Sequence, residues 1–298
     1  MLMTVGFATR LFTIAQVFTL IIMCSTWARA DEDDVAAQKR REAAGAARRG
    51  EYEEAVQLAT EAIAAAPDAA AGYATRADSF EQLRRFEQAD ADWSAALERE
   101  PQSAALYDRR GGVRFKLGQI DKSLEDFDRA IELEPQRAES HWRRGISLYY
   151  AGRFDEGAAQ FELGKKVYAN DVENAFWHFL CIARHRDLDS ARAELLEVGF
   201  DRRVPLMVVY ALLQGDAEPD DVLAAANKAA DDETKDVQLF YGHLYLALYN
   251  DALGQKDAVR EHLQATVNDY AHPGNYMWEV ARVHWERLTQ DGPNAASE

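Results

Sequence analysis

Pro67, Pro101 and Pro135 stand 34 residues apart, and five further columns of residues follow the same step. Ala55, Ala89, Ser123 and Gly157 align, as do Ala62, Ala96, Ala130 and Gly164, and Tyr52, Phe86, Ile120 and Phe154. Ala43, Ala77, Gly111 and Gly145 make a fourth column, and Ala59, Trp93, Phe127 and Phe161 a fifth. A fixed step of this length restricts the chain to a stack of like units, each burying its apolar face only against the next.

The column chemistry predicts what each unit is. Small residues belong where two helix axes cross closely, and the aromatic column fills the groove beside them. Gly118 and Gly152 fall at turns, where a positive φ suits glycine. Each proline ends a helix by disfavouring α geometry at the residue before it, Glu100 or Glu134. The clearest copy runs from Ala104 to Arg137, with one helix over Leu106 to Gly118 and a second over Ser123 to Leu133. Counting outward gives four copies, 36–69, 70–103, 104–137 and 138–171. In the first, Ala43 and Ala46 replace larger residues, which suits a lid or a dimer contact.

Beyond 171 the step fails while helical patterning continues. Asn174 to Arg186 pairs with Ser190 to Val198, Pro205 to Gln214 with Asp220 to Ala230, and Val237 to Tyr249 with Ala258 to Asn268 around Gly254. A last helix from Asn275 to Leu288 carries Tyr276, Trp278, Val280, Val283 and Trp285 and is expected to cap the final pair. Residues 172–289 thus form irregular pairs and a cap, and 290–298 a flexible tail.

A 34-residue unit with small residues at its positions 8, 20 and 27, an aromatic at 24 and proline at 32 resembles the tetratricopeptide-repeat (TPR) family. The resemblance implies an all-α, right-handed superhelix of antiparallel helix pairs whose first helices line a concave, protein-binding groove. Carried onto this chain, it points to Thr75, Asp78, Glu81 and Gln82 in the second copy and to Asp108, Arg109, Gly112, Phe115 and Lys116 in the third. In the fourth it points to Glu139, Trp142, Arg143, Ile146, Tyr149 and Tyr150. The groove would pass from acidic to basic to aromatic, suited to a protein or peptide partner with apolar and carboxylate groups. The blocks His141 to Arg153 and Leu239 to Leu248 are similar to the NlpI-type TPR proteins of bacterial envelopes. That likeness implies an adaptor, often dimeric, which docks proteases and cell-wall hydrolases.

Residues 1–30 read as a secretory signal: Arg10, an apolar run from Leu11 to Cys24, and Ala28 and Ala30 at the positions a cleavage pocket requires. Cleavage after Ala30 would place the protein in the periplasm or otherwise outside the cytoplasm. The alternatives are an uncleaved anchor, for which the 14-residue run is short, and lipidation of Cys24, where Met23 replaces the usual small residue. Either would associate the chain with a membrane. Cleavage would leave Cys181 without an internal disulfide partner, so helix packing must carry stability.

The net charge of −17 opposes nucleic acid and anionic lipid surfaces. The seven histidines form no His-Glu-x-x-His pattern, and neither a Gly-x-Ser-x-Gly elbow nor a Gly-Lys-Ser/Thr phosphate loop occurs. The acidic runs around Asp31, Asp216 and Asp231 suit helix starts and solubility. These features predict a scaffold with no catalytic residue, cofactor or metal. Two other readings stay open: a self-assembling structural subunit, and a metal binder or enzyme using His178, Cys181 and His185 on one helix face.

Overall fold

The computed structural model describes residues 34–290. The signal sequence with Cys24 and residues 291–298 of the expected tail fall outside this range, whereas Gln290 ends the last helix. The described residues form helices and no strand, and none of these helices is long and apolar enough to cross a membrane. The fold is all-α, and the chain divides into two compact units at Pro101.

The N-terminal unit holds α1 (34–48), α2 (Tyr52–Ala65), α3 (Ala70–Gln82) and α4 (Phe86–Arg99). Ala43 and Ala46 of α1 are buried with Ala55 and Ala59 of α2, so small side chains let these helices approach. The next pair is filled by Phe80, Phe86, Trp93 and Leu97. The turn between α3 and α4 departs from the glycine pattern: Arg84 adopts φ 57°, where Gly118 and Gly152, one and two steps on, adopt 71° and 73°.

The C-terminal unit starts with α5 (Ala104–Lys116) and α6 (Ile120–Leu133). A 3₁₀ turn (Pro135–Ser140) leads into α7 (Trp142–Tyr150) and α8 (Phe154–Gly164). Next come α9 (Val172–His185), α10 (Leu188–Ala193), α11 (Leu206–Gln214) and α12 (Pro219–Ala226). Finally α13 (Asp232–Ala252), α14 (Lys256–Gln264) with a π turn at Ala265–Asp269, and α15 (Tyr276–Gln290) complete it. Gly111 faces Phe127 and Gly145 faces Phe161, each close enough that a Cβ would meet the ring at 2.7 Å and 2.5 Å.

Expectations change at four helices, the simplest being α12, which ends at Ala226 rather than Ala230. Helix α10 stops at Ala193 rather than Val198, because the Tyr210 hydroxyl, which donates to Leu196 O (3.1 Å), holds the following segment as a loop. Helix α13 starts at Asp232 rather than Val237, since Asp231 accepts the Thr234 N–H (2.8 Å) and caps it earlier. Helix α15 does more than cover the last pair. Tyr276 stacks on Phe115 (5.5 Å between centroids), the Tyr150 hydroxyl bonds His284 Nδ1 (3.0 Å), and the Arg282 guanidinium donates to Lys116 O. The chain end thereby returns to α5 and α7.

Candidate binding site

The residues expected to line the groove divide by environment. In the N-terminal unit Asp78 is exposed, and Glu81 is half-buried where it accepts the Trp93 indole N–H (3.1 Å). In the C-terminal unit Phe115, Ile146, Tyr149 and Tyr150 are not groove walls but core. The physical reason is the returning α15 together with α9 and α13: Phe115 lies under Tyr276, Tyr150 under His284, and the Tyr149 hydroxyl donates to Asp251 (3.1 Å). Burial pushes both tyrosine hydroxyls well above their ordinary pKa.

What stays accessible is Arg109 and a cluster around Trp142. His141 precedes α7 and caps it: its Nδ1 accepts the Arg144 N–H (3.3 Å), so Nε2 carries the proton and faces Asp108 Oδ1 at 3.0 Å. Arg143 donates to the other Asp108 oxygen (2.6 Å). Burial works against the Asp108 carboxylate, but His141 and Arg143 outweigh it and hold the group below the usual carboxylate range.

On the other side of Trp142 a cavity of about 320 Å³ opens between α7, α8, α9 and the start of α15. That volume reaches the lower end of the range of small-ligand sites, roughly 300 Å³ and upward. Trp142, Tyr168 and Tyr276 wall it, and Phe161 and Trp177 form its inner side. Trp142 meets Tyr276 edge-on at 5.0 Å, and Phe161 stacks with Trp177 at 6.3 Å. Tyr168 is anchored by its hydroxyl donating to Ser140 O (3.0 Å).

The polar rim is Asp171 and Glu173 at the start of α9. Asp171 caps that helix by accepting the Glu173 N–H (2.8 Å). Arg203, brought in by the loop after α10, pairs with Asp171 (2.7 Å), Glu173 and Asp201. Burial pushes the Glu173 carboxyl up, partly offset by the Tyr245 hydroxyl that donates to it and by Arg203. None of Tyr168, Asp171, Glu173, Trp177 or Tyr276 follows from the repeat register, because loops and the returning helix supply or close them. The sequence signal available was the aromatic density of α9 and α15.

His178, Cys181 and His185 border one cavity between α8, α9 and the segment after α10, but each is engaged separately. His185 pairs with Asp155 (2.9 Å), His178 Nε2 lies 3.9 Å from Glu162, and the buried Cys181 thiol is pushed up by burial. Among the described residues no three His, Cys, Asp or Glu side chains are placed to share a metal ion.

Comparison with known proteins agrees with this architecture. A family profile described as TPR repeat matches residues 111–152. No curated protein matches the chain in sequence. Among solved structures, a double mutant of MamA from RS-1 is 17% identical, with a TM-score of 0.50 over 54% of this chain and 90% of that one. Pseudomonas aeruginosa PilF is 15% identical, with a TM-score of 0.48 over 85% and 99%. The first TPR domain of human RPAP3 is 27% identical, with a TM-score of 0.34 over 35% and 81%. The repeat register, the paired helices and the profile match support one statement: the chain carries tetratricopeptide-type repeats in an all-α fold.

Proposed function

We propose that this protein is an exported interaction scaffold that holds a protein or peptide segment and, in the manner implied by its NlpI-type resemblance, brings clients to an envelope protease or cell-wall hydrolase. The observation that carries the binding role is the preformed aromatic cavity beside Trp142, with the Arg143 guanidinium 6.0 Å from the Trp142 ring. A rigid aromatic anchor site flanked by charge is the arrangement in which a few contacts dominate protein recognition. Export rests on the signal-like residues 1–30, and cleavage after Ala30 would release the chain on the far side of the membrane.

Pull-down from an envelope extract with the wild-type protein and its Trp142→Ala variant tests the binding role. Loss of specific partners in the variant is expected, whereas identical partner sets would remove the cavity from the function. Mass spectrometry of the native N-terminus tests export: a chain starting at Asp31 is expected, and one retaining Met1, or an acylated Cys24, would overturn soluble release.

A further inference from the structure

We infer that the aromatic cavity recognises a cationic group, the side chain of a lysine or arginine presented by the partner. This rests on the scaffold reading and names the chemistry of the partner's anchor. Three accessible rings, Trp142, Tyr168 and Tyr276, surround the opening and Trp177 lies behind them. Ring faces attract a cation most strongly where water is excluded.

The rim charge has the matching sign. Asp171 and Glu173, which line the cavity, share Arg203 with Asp201 behind them, so these carboxylates outnumber the cation they share even though burial raises the Glu173 carboxyl. Two helix starts, of α9 and α15, border the cavity and would otherwise favour an anion. Side-chain caps already take part of that potential: Asp171 accepts the Glu173 N–H, Asp201 the Val172 N–H, and Asn275 Oδ1 the Met277 N–H at 2.8 Å. Arg143 also reaches 6.0 Å from the Trp142 and Tyr276 rings, but its charge is met by Asp108. An acidic occupant would therefore face the Asp171 and Glu173 carboxylates, and a purely apolar occupant would leave the rim charge unanswered. The chain's net charge of −17 further favours a basic partner.

The test uses the purified protein and four probes: the blocked single residues Nα-acetyl-lysine amide, Nα-acetyl-arginine amide, Nα-acetyl-norleucine amide and Nα-acetyl-glutamate amide. The readout is the NMR indole N–H signals, assigned through Trp142→Phe and Trp177→Phe. The lysine and arginine probes are expected to shift the Trp142 and Trp177 signals saturably and to bind about tenfold tighter than norleucine. Asp171→Asn keeps the helix cap, since Asn caps as well as Asp. It is expected to weaken the cationic probes about three- to tenfold while leaving norleucine unchanged. Norleucine binding as tightly as lysine, glutamate binding tightest, or no saturable shift with the cationic probes would each overturn cation recognition. The pull-down comparison of wild type and Trp142→Ala stands apart from these outcomes, because a partner lost on mutation while norleucine equals lysine keeps the scaffold and rejects only the charge assignment.

Discussion

At Gly145 the helix α7 has no room for a side chain. An added Cβ would stand 2.5 Å from the Phe161 ring, and at Gly111 it would stand 2.7 Å from Phe127. The ring at Phe161 is 1% exposed and stacks on Trp177, so it has nowhere to retreat. Gly145→Ala is expected to destabilise the protein by about 1 to 3 kcal/mol, the usual scale of overpacking. Adding Phe161→Leu should return part of that loss, which urea unfolding of both variants measures. Strict addition of the two losses would show that the ring is not the obstacle. Cys181 follows the same logic of burial: it is 0% exposed and its thiol is pushed up, so alkylation mapped by mass spectrometry should reach it only on unfolding.

Between the paired helices, a polar rung recurs in the 34-residue step. Arg76 bonds Asp92 (2.7 and 2.8 Å), Arg110 bonds Asp126 (2.9 and 2.8 Å), and Arg144 donates to Gln160 (3.1 Å) at the corresponding place. Asp126 is 2% exposed and also meets Arg114 (2.9 Å). Truncating one member of such a buried set leaves uncompensated charge, so Asp126→Ala is expected to cost about 3 to 5 kcal/mol. Glu132→Ala, which removes an exposed i,i+3 partner of Arg129, should change stability by about 0.5 kcal/mol or less. Thermal unfolding of the two variants checks the contrast, and equal effects would deny the rung its role. The Arg76, Arg110 and Arg144 column was readable from the sequence, as were the small and aromatic columns, because all of them repeat with the unit. The contacts that α15 makes were not. Phe115 and Tyr150 occupy groove positions by register, and the return of a helix over 120 residues later in the chain, together with α9, turns them into core. The cavity rim was hidden for the same reason, since Arg203 reaches Asp171 from a loop that no periodic pattern describes.

On the scale of the molecule, acid should loosen the fold because several histidines are held neutral. His243 and His262 place their Nδ1 atoms 3.0 Å apart, an arrangement in which one ring donates and the other accepts. Burial, joined by the neighbouring His262, pushes His243 down to about 4 from 6.5, and burial also lowers His262. Burial lowers His178 and His284 as well, the latter bonded to the Tyr150 hydroxyl. In each case the unfolded chain takes up a proton before the folded one does. Stability is therefore full above the unfolded value near 6.5 and falls as pH drops toward the folded value, near 4 for His243. Glu173 acts in the opposite sense, because its raised carboxyl favours the folded state as pH falls, but it is one group against four. The unfolding temperature is thus expected to decline steadily from pH 7 to pH 4. In His243→Gln, which has one fewer depressed base and leaves His262 without a competing proton, the decline should be shallower over the same window. A slope unchanged by that substitution would place the acid sensitivity elsewhere, with His284, on α15 against the Tyr150 hydroxyl, the next residue to replace.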